Sequence, residues 1–236
     1  MNNIKHLFLS RFKIVSLVSV SILFSIVLLM IRMKLTHSFH YIFLVWNLFL
    51  AVIPFAITSY LVSSPKLNKI ARITWFGVWL LFLPNAPYIV TDLIHLRLSY
   101  GSYAWLDILV VSSFAFNGLL LFYLSILDMK KVLKRYLKKP IINFGVTAIL
   151  FLSAFGVFLG RFLRYNSWEL LSNPKYLFID IINITIKPLA NKEAWFFTIL
   201  FGGFLSVGLW VFKQLFSSPD SIKQKHISKN KKPPKN

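Results

Sequence analysis

Cysteine is absent from the 236-residue chain, which excludes disulfides and thiolate metal sites and leaves the compartment unaddressed. Acidic residues are scarce too. Seven Asp and Glu stand against 27 Lys and Arg, for a formal net charge of +20. Charged residues make up only 14% of the chain and hydrophobic ones 57%, so there is too little charge to cover a soluble domain of this size. The basic residues lie between and after apolar runs instead of on one soluble face, which argues against nucleic acid as a partner.

What the chain has in place of charge is long, continuous apolar runs, and crossing a hydrocarbon core of about 30 Å takes roughly 20 such residues in a helix. The runs do not alternate, so helices are expected rather than a barrel, because a helix satisfies its own backbone hydrogen bonds in lipid. The expected fold is an all-α, polytopic transmembrane bundle in one domain over residues 1–216. Six spans are read: Val15 to Ile31, His40 to Ser63, Ile73 to Val90, Trp105 to Leu127, Ile141 to Phe162 and Trp195 to Phe216. The first follows Lys5, Arg11 and Lys13 and lacks a small-residue cleavage site before Arg32, so it reads as a retained signal anchor.

Cytoplasmic loops are enriched in Lys and Arg. With the N-terminus inside, the cytoplasmic segments hold three, three, six and seven basic residues, nineteen in all. The opposite side holds two, one and five, eight in all. Both termini are therefore expected in the cytoplasm. Tyr176 to Leu189 is short and carries Asp180 and Lys187, and reads as an interfacial or re-entrant helix instead of a seventh span. The Lys-rich tail from Ser217 to Asn236 is expected to be disordered and, with the basic cytoplasmic loops, drawn to anionic lipid headgroups.

Two places stand out. The third span is interrupted by LPNAP, where Pro84 and Pro87 remove two backbone donors. Irregular backbone at membrane depth needs protein or water to cover it. Beyond the break, Asn85, Tyr88, Asp92 and His95 recur at helical spacing, flanked by Thr91, while Ile89, Val90, Leu93, Ile94 and Leu96 form an apolar face. That polar line is expected to face the bundle interior. In the fifth span Ser153, Gly156, Gly160 and Arg164 share a face, and Gly156 with Gly160 allows a neighbouring helix close approach. The run ends in GRFLRYNSW, bringing Arg161 and Arg164 to the same membrane face as His95. Asp107, Asn47, His37 and His40 are weaker candidates at that face.

The segments LPNAPYIVTDLIHL and LGRFLRYNSWE resemble the bacterial membrane-protein family called domain of unknown function 1361, with similarity from the second span to the sixth. The resemblance implies a multi-pass protein of a bacterial plasma membrane and carries no activity with it.

Two arginine forks suit a phosphate or carboxylate, so Asn85, Tyr88, Asp92, His95, Arg161 and Arg164 form the candidate site. The expected ligand is an anionic lipid headgroup, a lipid-linked phosphate or a small anion held at the outer face. A structural alternative has Asp92 pair with Arg161 or Arg164 and lock the third helix to the fifth. Asp92 could also orient His95 as a general base, but no nucleophile motif supports catalysis and no reaction is assigned. Asp92 and His95 with His37 or His40 do not make a closed ligand set, so neither metal nor cofactor is expected. A small-solute transporter and a non-catalytic accessory subunit of a membrane complex are the alternative classes.

Overall fold

The computed structural model describes residues 2–64, 66–98, 103–165 and 174–215. Their regular elements are all helical: α1 (Asn2–Thr36), α2 (Phe43–Ser63), α3 (Lys69–Phe82), α4 (Asn85–Tyr88), a 3-10 helix (Ile89–Leu98), α5 (Ala104–Leu133), α6 (Lys139–Phe162), α7 (Pro174–Ile186) and α8 (Lys192–Leu215). Among the described residues, six segments are long and apolar enough to cross a membrane: Arg11–Thr36, Phe43–Ser63, Lys69–Arg97, Ala104–Leu133, Lys139–Phe162 and Lys192–Leu215. They overlie the six spans read from the sequence. At 13 residues, or about 20 Å, α7 is too short to be a seventh. The tail read as disordered from Ser217 onward lies outside the described residues.

The most deeply buried span is α5, and α1, α2 and α4 pack against it. Val110, Phe114, Leu121 and Phe122 of α5 are fully buried. Polar side chains inside this core find each other, as burial requires. Trp79 Nε1 donates to Ser125 Oγ at 2.8 Å, and Thr58 Oγ1 lies 3.4 Å from the same oxygen, joining α2, α3 and α5. Asn117 donates to Ser25 Oγ at 2.9 Å and so ties α5 to α1.

Both ends of α1 are fastened to α5 by buried ion pairs. Arg11 pairs with Asp128 and donates to Ser59 Oγ at 2.7 Å. Arg32 Nε donates to Asp107 Oδ1 at 2.8 Å, with its guanidinium over the Tyr41 ring. From sequence, Arg11 and Arg32 count as loop charges and Asp107 as a candidate for the outer site. The structure corrects this, since each is buried in a helix–helix contact. Twenty-one residues separate Arg11 from Arg32, and again Asp107 from Asp128. At 1.5 Å per residue, both intervals are about 32 Å.

The break in the third span is where LPNAP places it. Regular helix stops at Phe82, and the next turns mix reaches of three and four residues: Ala86 N donates to Leu83 O and Tyr88 N to Pro84 O. Ile89–Leu98 then continues as a 3-10 helix where an α-helical period is read from the sequence. A run of ten residues is long for that geometry, and its three-residue turn sets Asp92 and His95 one above the other. Glycines let neighbouring helices close around the break. A Cβ on Gly118 of α5 would lie 2.4 Å from the Ala86 carbonyl oxygen, and one on Gly156 of α6 would lie 2.7 Å from Pro84 Cγ.

Candidate functional site

The carboxylate of Asp92 is the centre of a cluster built from four elements, α2, α4, the 3-10 helix and α6. Its side chain is 1% exposed. It pairs with Arg161 from α6 and accepts from Asn47 Nδ2 of α2 at 2.9 Å. Arg161 is used at every nitrogen: Nη2 meets Asp92, Nε donates to Thr91 Oγ1 at 2.8 Å, and Nη1 lies 3.4 Å from His95 Nε2. Its guanidinium carbon also sits 4.4 Å from the centre of the Tyr88 ring. Because a guanidinium only donates, the His95 contact needs Nε2 as acceptor and the ring proton on Nδ1. His95 remains 31% exposed and packs beside Phe43 and His40 of the α1–α2 connection and α2 start.

Local sequence explains why these groups meet. Thr91 Oγ1 donates to the Tyr88 carbonyl at 2.6 Å, securing the junction between α4 and the 3-10 helix. Asn85 does the same on the other side, donating to the Phe82 carbonyl at 2.9 Å. On α6, Gly160 keeps room for Tyr88, since a Cβ there would lie 3.3 Å from its ring. Arg161, the next residue, is thereby brought within reach of the 3-10 helix.

The candidate residues thus separate into groups. Tyr88, Asp92, His95 and Arg161 come together. Asn85 is close by and caps broken backbone. Arg164 does not join: it is exposed, at a left-handed φ of 61° just past the end of α6. The chain turns back there, with Tyr165 N donating to Leu159 O at 3.1 Å, and Tyr165 OH donates to Asp180 Oδ2 of α7 at 2.7 Å. The cluster therefore holds one arginine against one aspartate, where a net positive site with two arginines was expected. Asp107 is elsewhere, bound to Arg32. Among the described residues no three His, Asp or Glu side chains gather as a metal set.

Beside the cluster lies a cavity of about 530 Å³ between α2, α3–α4, α6 and α7. Its walls are apolar, with Trp46, Leu81, Phe155, Leu159 and Ile181 among them, and its polar edge is Asn47, Asn85, Tyr88 and Tyr165. Asn47 and Tyr88 belong to both: one face of each touches the ion pair and the other lines the groove. Sequence reading did not find this groove. Its lining is scattered over five elements, and only the small residues Gly156 and Gly160 hinted at a helix contact.

Residues 46–207 match the family described as "Protein of unknown function (DUF1361)". The chain belongs to that family. The matched stretch begins at the groove wall and takes in Asn47, the broken span, the 3-10 helix and Arg161, so the whole cluster lies within the DUF1361 region. No curated protein and no solved structure matches the chain.

Proposed function

We propose that this membrane protein binds an amphiphilic lipid with an anionic headgroup, such as a lipid-linked phosphate, at the extracytoplasmic face of a bacterial plasma membrane. The observation that carries the reading is the apolar groove whose polar edge is shared with the Asp92–Arg161 cluster. Its volume is in the range of ligand pockets, and its walls suit an acyl or prenyl chain better than a small hydrated anion. The ion pair is internally neutral, so this reading assigns the positive charge for a headgroup to Arg164, which is exposed and precedes the groove residue Tyr165 in the chain. A carrier for small solutes is the second reading, favoured by a broken span beside a cavity.

Filling the groove tests this. Leu159→Trp is expected to reduce co-purifying lipid about tenfold, measured by mass spectrometry on equal amounts of folded protein extracted in native lipid; a tenfold loss corresponds to about 1.4 kcal/mol of contact. Arg164→Gly removes the charge and also relieves a left-handed backbone that costs an L-residue roughly 1–2 kcal/mol. Folded yield should hold or rise while anionic species are lost selectively. Unchanged lipid content in Leu159→Trp would sink the groove reading.

The same proposal puts both termini and the loop from Lys130 to Lys139 in the cytoplasm, and Arg97 outside. Since the chain has no cysteine, single cysteines at positions 97 and 137 can be labelled with an impermeant thiol reagent. Position 97 should react in intact cells and position 137 only after permeabilisation. The reverse pattern overturns the orientation, and with it the outer-face assignment of the groove.

A further inference from the structure

At the opposite end of the bundle, α5 hands over to α6 and the end of α8 comes alongside. Lys130, Lys134, Lys139 and Lys213 line a recess of about 500 Å³ there, over a floor that includes Leu137 and Ile142. Lys130 is half-buried and donates from Nζ to Asn143 Oδ1 at 2.8 Å. The other three lysines are exposed. The carboxylate that α5 carries nearby, Asp128, is already committed to Arg11 and Lys131.

Part of this arrangement has an ordinary explanation. Lys130 and Lys213 stand in the last turns of α5 and α8, where a cation complements the helix dipole. Lys139 does not fit that explanation. It is the first residue of α6, at a helix start with no side-chain cap, where the dipole disfavours a cation and favours an anion. Four ammonium groups around one recess repel one another, and an anion held among them lessens that repulsion. Next in sequence to the recess residues Ile142 and Asn143, Ile141 and Phe144 are exposed apolar side chains on the first turns of α6. Basic pockets between helix ends at a membrane surface suit phosphate headgroups.

We propose that this recess binds the paired phosphates of an anionic lipid carrying two phosphodiester groups, as a site separate from the outer groove. Its chemistry is shared by free pyrophosphate, so the test uses both sources. The full chain in detergent is titrated with cardiolipin, with phosphatidylglycerol and with inorganic pyrophosphate, and bound species are counted by native mass spectrometry. Cardiolipin is expected to bind at least about tenfold tighter than phosphatidylglycerol. Lys139→Gln should weaken cardiolipin about fivefold, and the triple variant Lys134→Gln, Lys139→Gln, Lys213→Gln by the whole of its at least about tenfold preference, to the level of phosphatidylglycerol. Lys66→Gln with Lys69→Gln, at the same end and outside the recess, should leave the preference intact. The single Lys139→Gln variant keeps the test valid if the triple variant folds poorly. Equal cardiolipin affinity in wild type and Lys139→Gln overturns the site. An equal loss in the Lys66 and Lys69 control reduces it to general surface charge, and displacement of cardiolipin by equimolar pyrophosphate overturns the lipid as its ligand.

Discussion

Replacing Arg161 by alanine should destabilise the folded protein by about 3–5 kcal/mol, because it strands the buried carboxylate of Asp92 without its partner. Asn47 would remain as a donor to that carboxylate, but one neutral amide does not balance a charge at a site 1% exposed. Arg161→Lys should recover only part of the loss. A lysine keeps the charge, yet its single ammonium cannot reach Thr91, Asp92 and His95 together while covering the Tyr88 ring. Asp92→Asn should cost less than Arg161→Ala, since the arginine left behind is 15% exposed and reaches solvent. The double variant Asp92→Asn, Arg161→Ala is the decisive member of the set. Coupling through the ion pair makes the double variant more stable than Arg161→Ala alone, read as midpoints of thermal or denaturant unfolding in detergent. If the two single losses simply add, the pair does not lock the broken third span to α6.

Gly118→Ala is expected to be the most damaging small substitution in the bundle. In an ordinary membrane-buried helix the change from glycine to alanine favours the helix by about 1 kcal/mol. At Gly118 the new methyl would sit 2.4 Å from the Ala86 carbonyl oxygen and 3.3 Å from Ile89 Cβ. That oxygen is backbone, held between Pro84 and Pro87, whose rings restrict the local dihedrals, so it has little freedom to give way. Overpacking of this kind costs about 1–3 kcal/mol, enough to reverse the propensity gain. Gly145→Ala on α6 is the matched control, because a Cβ there meets nothing within 4 Å. It should be neutral or mildly stabilising. Gly118→Ala should also weaken lipid retention, since pushing α4 away from α5 displaces Asn85 and Tyr88 from the groove edge. Equal melting points for the two alanine variants would mean that α4 is not clamped against α5.

Much of the fold was legible because membrane burial writes itself into long stretches of sequence. Apolar length marks the spans, and LPNAP marks the break, since proline removes donors wherever it stands. The polar line from Tyr88 to His95 was legible for the same reason: lipid leaves such groups only the protein interior. The remainder depends on which of several chemically equal partners a residue meets. Arg11 and Arg32 look like loop charges until helix lengths place them beside Asp128 and Asp107. Arg161 and Arg164 look alike in the sequence, but α6 stops between them, and the left-handed turn sends Arg164 to the surface. The 3-10 geometry of Ile89–Leu98 leaves no periodic signature distinct enough over three short turns. The groove was invisible because its walls are ordinary apolar residues drawn from α2, α3, α6 and α7.

The paired arginine and aspartate contacts at the two ends of α1 and α5 give the protein a built-in length. Both intervals are about 32 Å, and both ends are charged groups that are costly to draw into hydrocarbon. Neither helix can shorten to suit its surroundings, so a bilayer thinner by a few ångströms must thicken locally or tilt the whole α1–α5 unit. Accommodating 28 Å by tilt alone takes about 30°. Because α4 is pressed on α5 at Gly118, that tilt would swing the groove's mouth with it, and the height at which the proposed lipid headgroup would be met is therefore set by the thickness of the membrane around the protein.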